Sequence, residues 1–198
     1  EQNAVPAVAD RWEMSDNGRT YRFYLRETAR WSDGTPLRAA DFEFAWKRNL
    51  NPHTNSPAAH LLDPVLNARS YRNGESADPD RVGVRAVEDH VLEVRLQGPT
   101  AYLLHLLAHP IAYPLPHRAI ETHGDDWTRP ETVVTNGPYR LGLWTRGERI
   151  VLERNACYDG AFPGNVQRIE GRIFTRHVQA LDAYSRDELD VTEMLAAN

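Results

Sequence analysis

The chain has 198 residues, of which 41% are hydrophobic and 26% charged, and its formal net charge is −5. These values are ordinary for a globular protein, and the negative charge argues against a nucleic-acid partner, which would favour a basic surface. No run approaches the roughly 18 apolar residues of a membrane-spanning helix, and the lone Cys157 excludes a framework of internal disulfides.

The first half of the chain alternates between strand and helix periodicity. Apolar side chains at every second position of residues 20–25 indicate a strand, and the Asn17-Gly18 turn before it indicates a hairpin. Phe42 and Trp46 share one face of the following helix and are predicted to point into a core. In chain order, this half predicts strands at 11–14 and 20–25, a helix from 37 to about 49, a short helix within 56–66, a loop at 67–80, and a hairpin of strands at 82–87 and 91–96.

The second half predicts shorter elements. Thr100 is the predicted N-cap of a helix that Pro110 closes, and the turn at Asn136-Gly137 introduces a further hairpin. In chain order, this half predicts helices at 101–109 and 116–123, strands at 139–144, 148–154 and 168–174, a helix at 178–185 and a short strand at 189–192. The fold class that these elements predict is α/β in the mixed α+β sense, with helices packed on sheets.

Eight short runs stand in the order that one protein family shows. They are PAVADRW at 6–12, YRFYLR at 21–26, WSDGTPL at 31–37, NPHTNSP at 51–57, DHVLEV at 89–94, TNGPY at 135–139, RIVLERN at 149–155 and YSRDELDV at 184–191. On these runs the chain resembles family 5 of the bacterial extracytoplasmic solute-binding proteins, which capture oligopeptides, dipeptides or nickel for ABC importers. The oligopeptide type is the most similar, because the runs at 51–57 and 149–155 suit it best.

The resemblance implies a class II periplasmic binding-protein fold of which this chain is a part. In that family a ligand lies in a cleft between two lobes that close by hinge motion. Residues 1–10 are expected to lead from the first lobe, residues 11–135 to form a small accessory sheet domain, and residues 136–198 to form part of the first lobe. We expect either a piece of a longer exported protein or a naturally short relative of it, located in the periplasm or otherwise outside the cytoplasm.

The same resemblance implies the partners and the ligand contacts. The expected partners are a peptide or small-molecule solute and the permease subunits of an ABC importer, with no cofactor. The predicted ligand contacts are Asn55, Ala58, His60, Asn136 and Tyr139. Ala58 stands where the oligopeptide type has a tyrosine, and it offers neither a ring nor a hydroxyl to a ligand. For Asn136, simple turn chemistry is the competing interpretation.

Catalytic and metal-binding patterns are weak. His105 and His109 have the i, i+4 spacing of a chelating pair, but no third ligand stands at a recognisable spacing, so no metal is predicted. The sequence has no Gly-x-Ser-x-Gly elbow and no glycine-rich phosphate loop. The tryptophans are interpreted as packing residues. Two other functions stay open: a sensor module of the same fold within a regulator, and a hydrolase on a mixed scaffold.

Overall fold

The computed structural model describes residues 4–161 and 164–192 of the chain. Within them the strands are β1 (Ala9–Ser15), β2 (Thr20–Leu25), β3 (Val84–Glu88), β4 (Val91–Arg95), β5 (Tyr139–Thr145), β6 (Arg149–Arg154) and β7 (Arg168–Arg172). The α-helices are α1 (Ala39–Leu50), α2 (Ala68–Arg72), α3 (Leu103–Leu106), α4 (His117–His123) and α5 (His177–Ser185). Short 3-10 turns lie at Asp16–Gly18, Pro52–Thr54, Ala59–Leu62, Pro79–Arg81, Pro110–Ala112 and Gly124–Thr128. The predicted mixture of helix and sheet is confirmed.

Two hairpins build a four-stranded antiparallel sheet in the order β1-β2-β4-β3. Tyr21, Phe23 and Leu25 of β2 are buried, because alternate residues of a strand point to the same face. The turn between β1 and β2 requires a left-handed backbone, which Asn17 and Gly18 provide at φ angles of 52° and 86°. Both hairpins predicted from the first half of the sequence are therefore confirmed.

Helix α1 packs against β3 and β4 and supplies the centre of the core. Ala45, Trp46 and Leu50 are at most 1% exposed, and Phe42 packs against the same core from a half-buried position. The indole Nε1 of Trp46 donates a hydrogen bond to the carbonyl of Ala112 at 2.9 Å. The ring is thus packed along its body and satisfied at its polar edge. The prediction that Phe42 and Trp46 face inward is confirmed.

The WSDGTPL segment at 31–37 is a tight turn fastened to the start of α1. The Trp31 N–H donates to the Thr35 carbonyl at 2.9 Å. The indole of Trp31 donates to the Asp41 carboxylate at 3.1 Å, and the same carboxylate accepts the backbone N–H of Arg38 at 2.9 Å. Arg38 is the N-cap and makes no side-chain capping bond. Asp41 therefore satisfies the helix start from within the first turn and holds the tryptophan beside it.

Lys47, the only lysine in the sequence, ties the middle of α1 to its surroundings. Its ammonium group pairs with Glu43 at 2.6 Å and with Asp80 at 2.7 Å, and its side chain is 16% exposed. The second carboxylate oxygen of Glu43 accepts the N–H of Ala86, in β3, at 2.7 Å. Burial lowers the pKa of Lys47, but the hydrogen bonds to Asp80 and Glu43 outweigh it, so that the pKa is raised.

A row of alternating charges crosses the outer face of the four-stranded sheet. Glu13, Arg22, Glu93 and Arg85 stand opposite one another in the strand register. The Glu93 side chain is 6% exposed and pairs with Arg22 at 2.9 Å and with Arg95 at 2.8 Å. Burial raises the pKa of Glu93, but the hydrogen bonds from the two arginines lower it by more, so that the pKa lies below its usual value.

We expect Glu93→Gln to destabilise the fold near neutral pH and to lose that effect in acid. A carboxyl group whose folded pKa lies below its unfolded value of about 4.3 stabilises the fold above that pH. Its contribution disappears as the pH falls through the folded pKa. Urea unfolding at about pH 7 and about pH 3 measures the difference. The exposed Glu75→Gln is the matched control, and an effect of Glu93→Gln that stays constant with pH would contradict the assignment.

The strands β5, β6 and β7 form a second antiparallel sheet in that order. The hairpin predicted at 139–154 and the strand predicted at 168–174 are both confirmed. A β-bulge between Leu141 and Leu143 shifts the β5 register by one residue. The helix predicted at 178–185 is present as α5, and the helix predicted at 116–123 is present as α4.

The predicted helix at 101–109 is wrong in its length and its cap. Only one turn, α3, is helical, and its N-cap is Tyr102. The hydroxyl of Thr100, the predicted cap, donates to the Gly98 carbonyl at 3.1 Å. This hydrogen bond engages the Thr100 hydroxyl in the preceding loop, so the side chain does not cap the helix, although the Thr100 carbonyl accepts the N–H of Leu103 at 3.2 Å.

Two further local predictions are wrong, and one is confirmed in a modified form. The segment predicted as a loop at 67–80 contains α2, which begins after Asn67 at a left-handed φ of 59°. The short helix predicted within 56–66 is present as the 3-10 helix Ala59–Leu62. The predicted strand at 189–192 is not present in those described residues. Each of these segments is about one helical turn or shorter, too short for a periodic pattern to identify.

Candidate functional site

The TNGPY segment at 135–139 forms a corner that a buried asparagine holds in place. Asn155, at the end of β6, is 3% exposed. Its side-chain amide donates to the Gly137 carbonyl at 2.9 Å, and its backbone N–H donates to the Pro138 carbonyl at 2.9 Å. Its side-chain oxygen accepts the N–H of Cys157 at 3.0 Å. The backbone of the corner is therefore fixed where β5 begins.

Hydrogen bonds also join the corner to the loops beside the four-stranded sheet. The N–H of Ser32, in the WSDGTPL turn, donates to the Thr135 carbonyl at 2.7 Å, and the N–H of Thr135 donates to the Ser32 hydroxyl at 3.1 Å. Arg26, which follows β2, pairs with the Asp159 carboxylate at 2.9 Å and donates to its carbonyl at 2.8 Å. These contacts connect the loops at one end of the first sheet with the loops of the second.

A small cavity of about 60 Å³ lies beside Asn136. The polar part of its wall consists of Arg26, Arg30, Asn136, Tyr158 and Asp159. The Nε atom of Arg26 is buried without a hydrogen-bond partner among residues 4–161 and 164–192. At roughly 30 Å³ per water molecule the cavity has room for about two waters, whereas small-ligand sites occupy about 300–1,000 Å³. The cavity is therefore no peptide site by itself.

The structure places two of the predicted contacts, Asn136 and Tyr139, on this corner. Asn136 lines the small cavity. The Tyr139 hydroxyl donates to the Val166 carbonyl at 3.0 Å, so its proton is engaged within the protein while the ring is half-buried. Their roles as ligand contacts stay predictions.

The other three predicted contacts lie elsewhere. Asn55, Ala58 and His60 follow the C-terminal end of α1, where Asn55 and His60 are exposed and Ala58 packs against the core. The corner, in contrast, is joined through Ser32 to the turn that precedes the N-terminal end of α1. The 12 residues of α1 span about 18 Å at 1.5 Å per residue. The five residues thus form two groups, one beyond each end of α1.

A larger and open groove, of about 880 Å³, lies at one end of the four-stranded sheet, where all four strands contribute to its lining. Its lining contains none of the five predicted contacts. Most of the charged side chains in it are already paired, as Arg22 is with Glu93 and Arg26 with Asp159. The groove is an open surface lined by several charged side chains, and its size alone does not identify a ligand.

The described residues contain no group of three or more His, Cys, Asp or Glu side chains arranged to hold a metal ion. The Nδ1 atom of His109 accepts the N–H of Ile111 at 3.2 Å, which gives that histidine a local structural role. In the same part of the chain, no helix has the length and apolar character needed to cross a bilayer.

A protein-family model described as bacterial extracellular solute-binding proteins, family 5, middle region, matches residues 3–198. The periplasmic oligopeptide-binding protein OppA of Salmonella typhimurium is 39% identical over 194 residues, which cover 97% of this chain and 35% of OppA. The probable deoxycholate-binding periplasmic protein YgiS of Escherichia coli is 37% identical over 193 residues, which cover 97% of this chain and 36% of YgiS.

Solved structures of similar proteins have the same fold. Haemophilus influenzae OppA, in a complex with the peptide RPPGFSPFR, superposes with a TM-score of 0.86 at 32% identity. The match covers 92% of this chain and 36% of that protein. The chain therefore spans about a third of the length of the relatives it matches, and the predicted fold class is confirmed for that third.

Proposed function

The chain belongs to family 5 of the bacterial extracellular solute-binding proteins, and from this premise we propose that it is part of the solute-binding component of an ABC importer. The solute is an oligopeptide, captured outside the cytoplasmic membrane and passed to permease subunits. The chain carries out no catalysis. The observation that carries the proposal is the 39% identity to an oligopeptide-binding protein across 97% of this chain.

Within this proposal, residues 11–135 form the accessory domain and residues 136–198 belong to the first lobe, with residues 1–10 leading from that lobe. The two separate sheets support this division, because β1 to β4 fall in the first range apart from the start of β1, and β5 to β7 fall in the second. The corner that Asn155 holds lies at the proposed boundary.

The ligand side of the first lobe is the corner at 135–139. Asn136 presents a side-chain amide there, and Tyr139 presents a half-buried ring. Peptide main chains of varied sequence are bound through hydrogen bonds to backbone and amide groups, with waters filling the space around different side chains. Closure of a second lobe over this corner would complete the burial of the peptide.

A second solute class has a specific observation in its favour. The 37% identity to a probable deoxycholate-binding protein is close to the value for the oligopeptide-binding relative. Ala58, which brings no aromatic ring to the proposed site, is compatible with a bulky apolar ligand. Calorimetric titration of the longer parent polypeptide with tripeptides to pentapeptides and with deoxycholate distinguishes the two classes.

In the parent polypeptide, we expect Asn136→Ala to weaken peptide binding about tenfold, which corresponds to the loss of one good hydrogen bond. The exposed Asn73→Ala, far along the chain from the corner, is the matched control and should bind peptide as the unchanged protein does. Binding of deoxycholate without binding of any peptide would overturn the oligopeptide assignment and favour the second class.

For the isolated 198-residue chain, we expect little or no thermal stabilisation by dipeptides to pentapeptides. Most of the burial in such a site comes from closure against a second lobe, and a ligand stabilises a fold appreciably only when its concentration exceeds its dissociation constant. Differential scanning fluorimetry at millimolar peptide measures this. A rise of several degrees in the melting temperature would show that this chain contains a complete site.

A further inference from the structure

The small cavity beside Asn136 lies where loops of the two sheets meet. Arg26 and Arg30 follow β2 of the first sheet, whereas Asn136 precedes β5 and Tyr158 follows β6 of the second sheet. All four residues line the same space of about 60 Å³. Apart from Asp159, the rest of the wall is made of alanine, valine, leucine and glycine. Polar groups from both sheets therefore converge on one small volume.

The wall of this cavity carries a net positive charge. Arg26 and Arg30 bring two guanidinium groups, and Asp159 brings the one carboxylate of the lining. That carboxylate pairs with Arg26 at 2.9 Å and so compensates one of the two positive charges. Arg30 forms no ion pair in the described part of the chain, where its Nη1 atom donates to the carbonyls of Glu27 and Ala29 at 2.6 Å and 3.0 Å. One positive charge at the cavity therefore lacks a counter-charge.

The polar atoms of the cavity that lack a partner are mainly hydrogen-bond donors. The Nε–H of Arg26 is buried without an acceptor among the residues that the structure describes. Among the same residues, the Tyr158 hydroxyl and the Asn136 side-chain amide have no hydrogen-bond partner either. An arginine can only donate, and a hydroxyl and an amide can each donate as well. An occupant that satisfies these groups must accept hydrogen bonds from several directions.

Volume and charge together distinguish between water and an ion as the occupant. The cavity has room for about two water molecules, or for one chloride ion, which is only slightly larger than a water molecule. Waters would satisfy the donors but would leave the half-buried guanidinium of Arg30 without a counter-charge, which is costly away from bulk solvent. An anion accepts the same hydrogen bonds, and bonds to an ionised acceptor are the stronger ones.

We propose that this cavity binds a monovalent anion of the size of chloride, held by Arg26, Arg30, Asn136 and Tyr158. The ion accepts the Nε–H of Arg26 and neutralises the charge of Arg30. Because its ligands belong to loops of both sheets, the bound ion joins the four-stranded sheet to the corner at 135–139. Neither the ion nor its ligands depend on the identity of the solute.

The anion also bears on the proposed ligand corner. A side-chain amide has two N–H donors and one acceptor oxygen. Asn136 can therefore give one donor to the ion and still offer the other donor and the oxygen to a peptide. The ion then fixes the orientation of this amide before a solute arrives.

Thermal stability in two salts tests the proposal. We expect the 198-residue chain to melt at a higher temperature in sodium chloride than in sodium gluconate of equal ionic strength, because gluconate is too large for the cavity. A tenfold excess of chloride over its dissociation constant raises the melting temperature of a domain of this size by about 3–6 °C. Equal melting temperatures up to about 0.5 M salt would overturn the proposal. No peptide is present, so the outcome is independent of the proposed function.

Arg30→Gln removes the uncompensated charge, leaves the pair of Arg26 with Asp159 in place, and should abolish the difference between the two salts. Tyr158→Phe removes only the hydroxyl donor and should weaken chloride binding about three- to tenfold, which tests the site if Arg30→Gln does not fold.

Arg146→Gln is the matched control, because Arg146 is exposed on the turn at the other end of the β5–β6 hairpin, and it should keep the full difference between the salts. If Arg30→Gln also keeps that difference, the proposal is wrong. In a crystal soaked in sodium bromide, we expect an anomalous bromide peak within hydrogen-bond reach of the Arg26 Nε. A bromide peak elsewhere, with none in the cavity, would assign the salt effect to another site and overturn the proposal.

Discussion

Replacing Trp46 with alanine is expected to destabilise the protein by about 4–7 kcal/mol, which is a large part of the roughly 5–15 kcal/mol by which folded domains are stable. The indole is 1% exposed at the centre of the core, and its removal leaves a large cavity between α1 and the sheet. The substitution also leaves the buried carbonyl of Ala112 without its donor at 2.9 Å. Loss of cooperative urea unfolding, or of soluble expression, is the measurable result.

Two further variants separate the contributions. Trp46→Phe keeps much of the ring volume but leaves the Ala112 carbonyl without a hydrogen-bond donor. We expect this variant to be about 1–3 kcal/mol less stable than the unchanged protein. Tyr102→Ala removes an aromatic ring that is 59% exposed and should change stability by less than about 0.5 kcal/mol. A Trp46→Ala protein that unfolds at the same urea concentration as the unchanged chain would contradict the core described above.

The second large effect is expected for Asn155→Ala, at about 2–5 kcal/mol. The substitution leaves the Gly137 carbonyl and the Cys157 N–H without the partners that the asparagine side chain gives them at 2.9 Å and 3.0 Å. A polar group left unpaired costs about 1–3 kcal/mol when it is buried, and both groups here are partly buried. Because both groups belong to the corner, the loss should be accompanied by faster hydrogen exchange of amides near residues 135–139.

The Asn155→Asp variant tests the contribution of the side-chain N–H donor alone. It preserves an acceptor for the Cys157 N–H but places a carboxylate oxygen against the Gly137 carbonyl, where two acceptors repel. We expect it to be no more stable than the alanine variant. Asn73→Ala, at an exposed amide, is the control for generic effects of removing an asparagine. If hydrogen exchange at residues 135–139 is unchanged in Asn155→Ala, the turn keeps its shape without the side-chain hydrogen bonds of Asn155.

The helices and strands that the sequence predicts well are those in which a hydrophobic pattern repeats at least twice. The alternation of Tyr21, Phe23 and Leu25 is enough to specify both strand and buried face, and the spacing of Phe42 and Trp46 is enough for α1. Turn chemistry was equally informative, since the Asn17-Gly18 pair supplies the left-handed angles that the first hairpin needs.

What the sequence did not reveal depends on contacts between distant residues. Asn155 is one polar residue at the end of a strand. Nothing in the neighbouring sequence indicates that its side chain donates a hydrogen bond to the carbonyl of Gly137, 18 positions earlier. Arg26 is one of many arginines, and its pairing with Asp159 spans 133 positions. The placement of Asn55 and Asn136 beyond opposite ends of α1 likewise follows from packing, which no local pattern encodes.

The single lysine has a practical consequence for anyone who modifies this protein. Acylating reagents react with the neutral form of an amine. Lys47 is an ammonium ion paired with Glu43 and Asp80, its pKa is raised, and its side chain is little exposed. Biotinylation or surface immobilisation through side-chain amines would therefore proceed slowly while α1 stays packed. The rate of Lys47 acylation would therefore report how often α1 opens. No other lysine of this sequence would contribute to the measured rate.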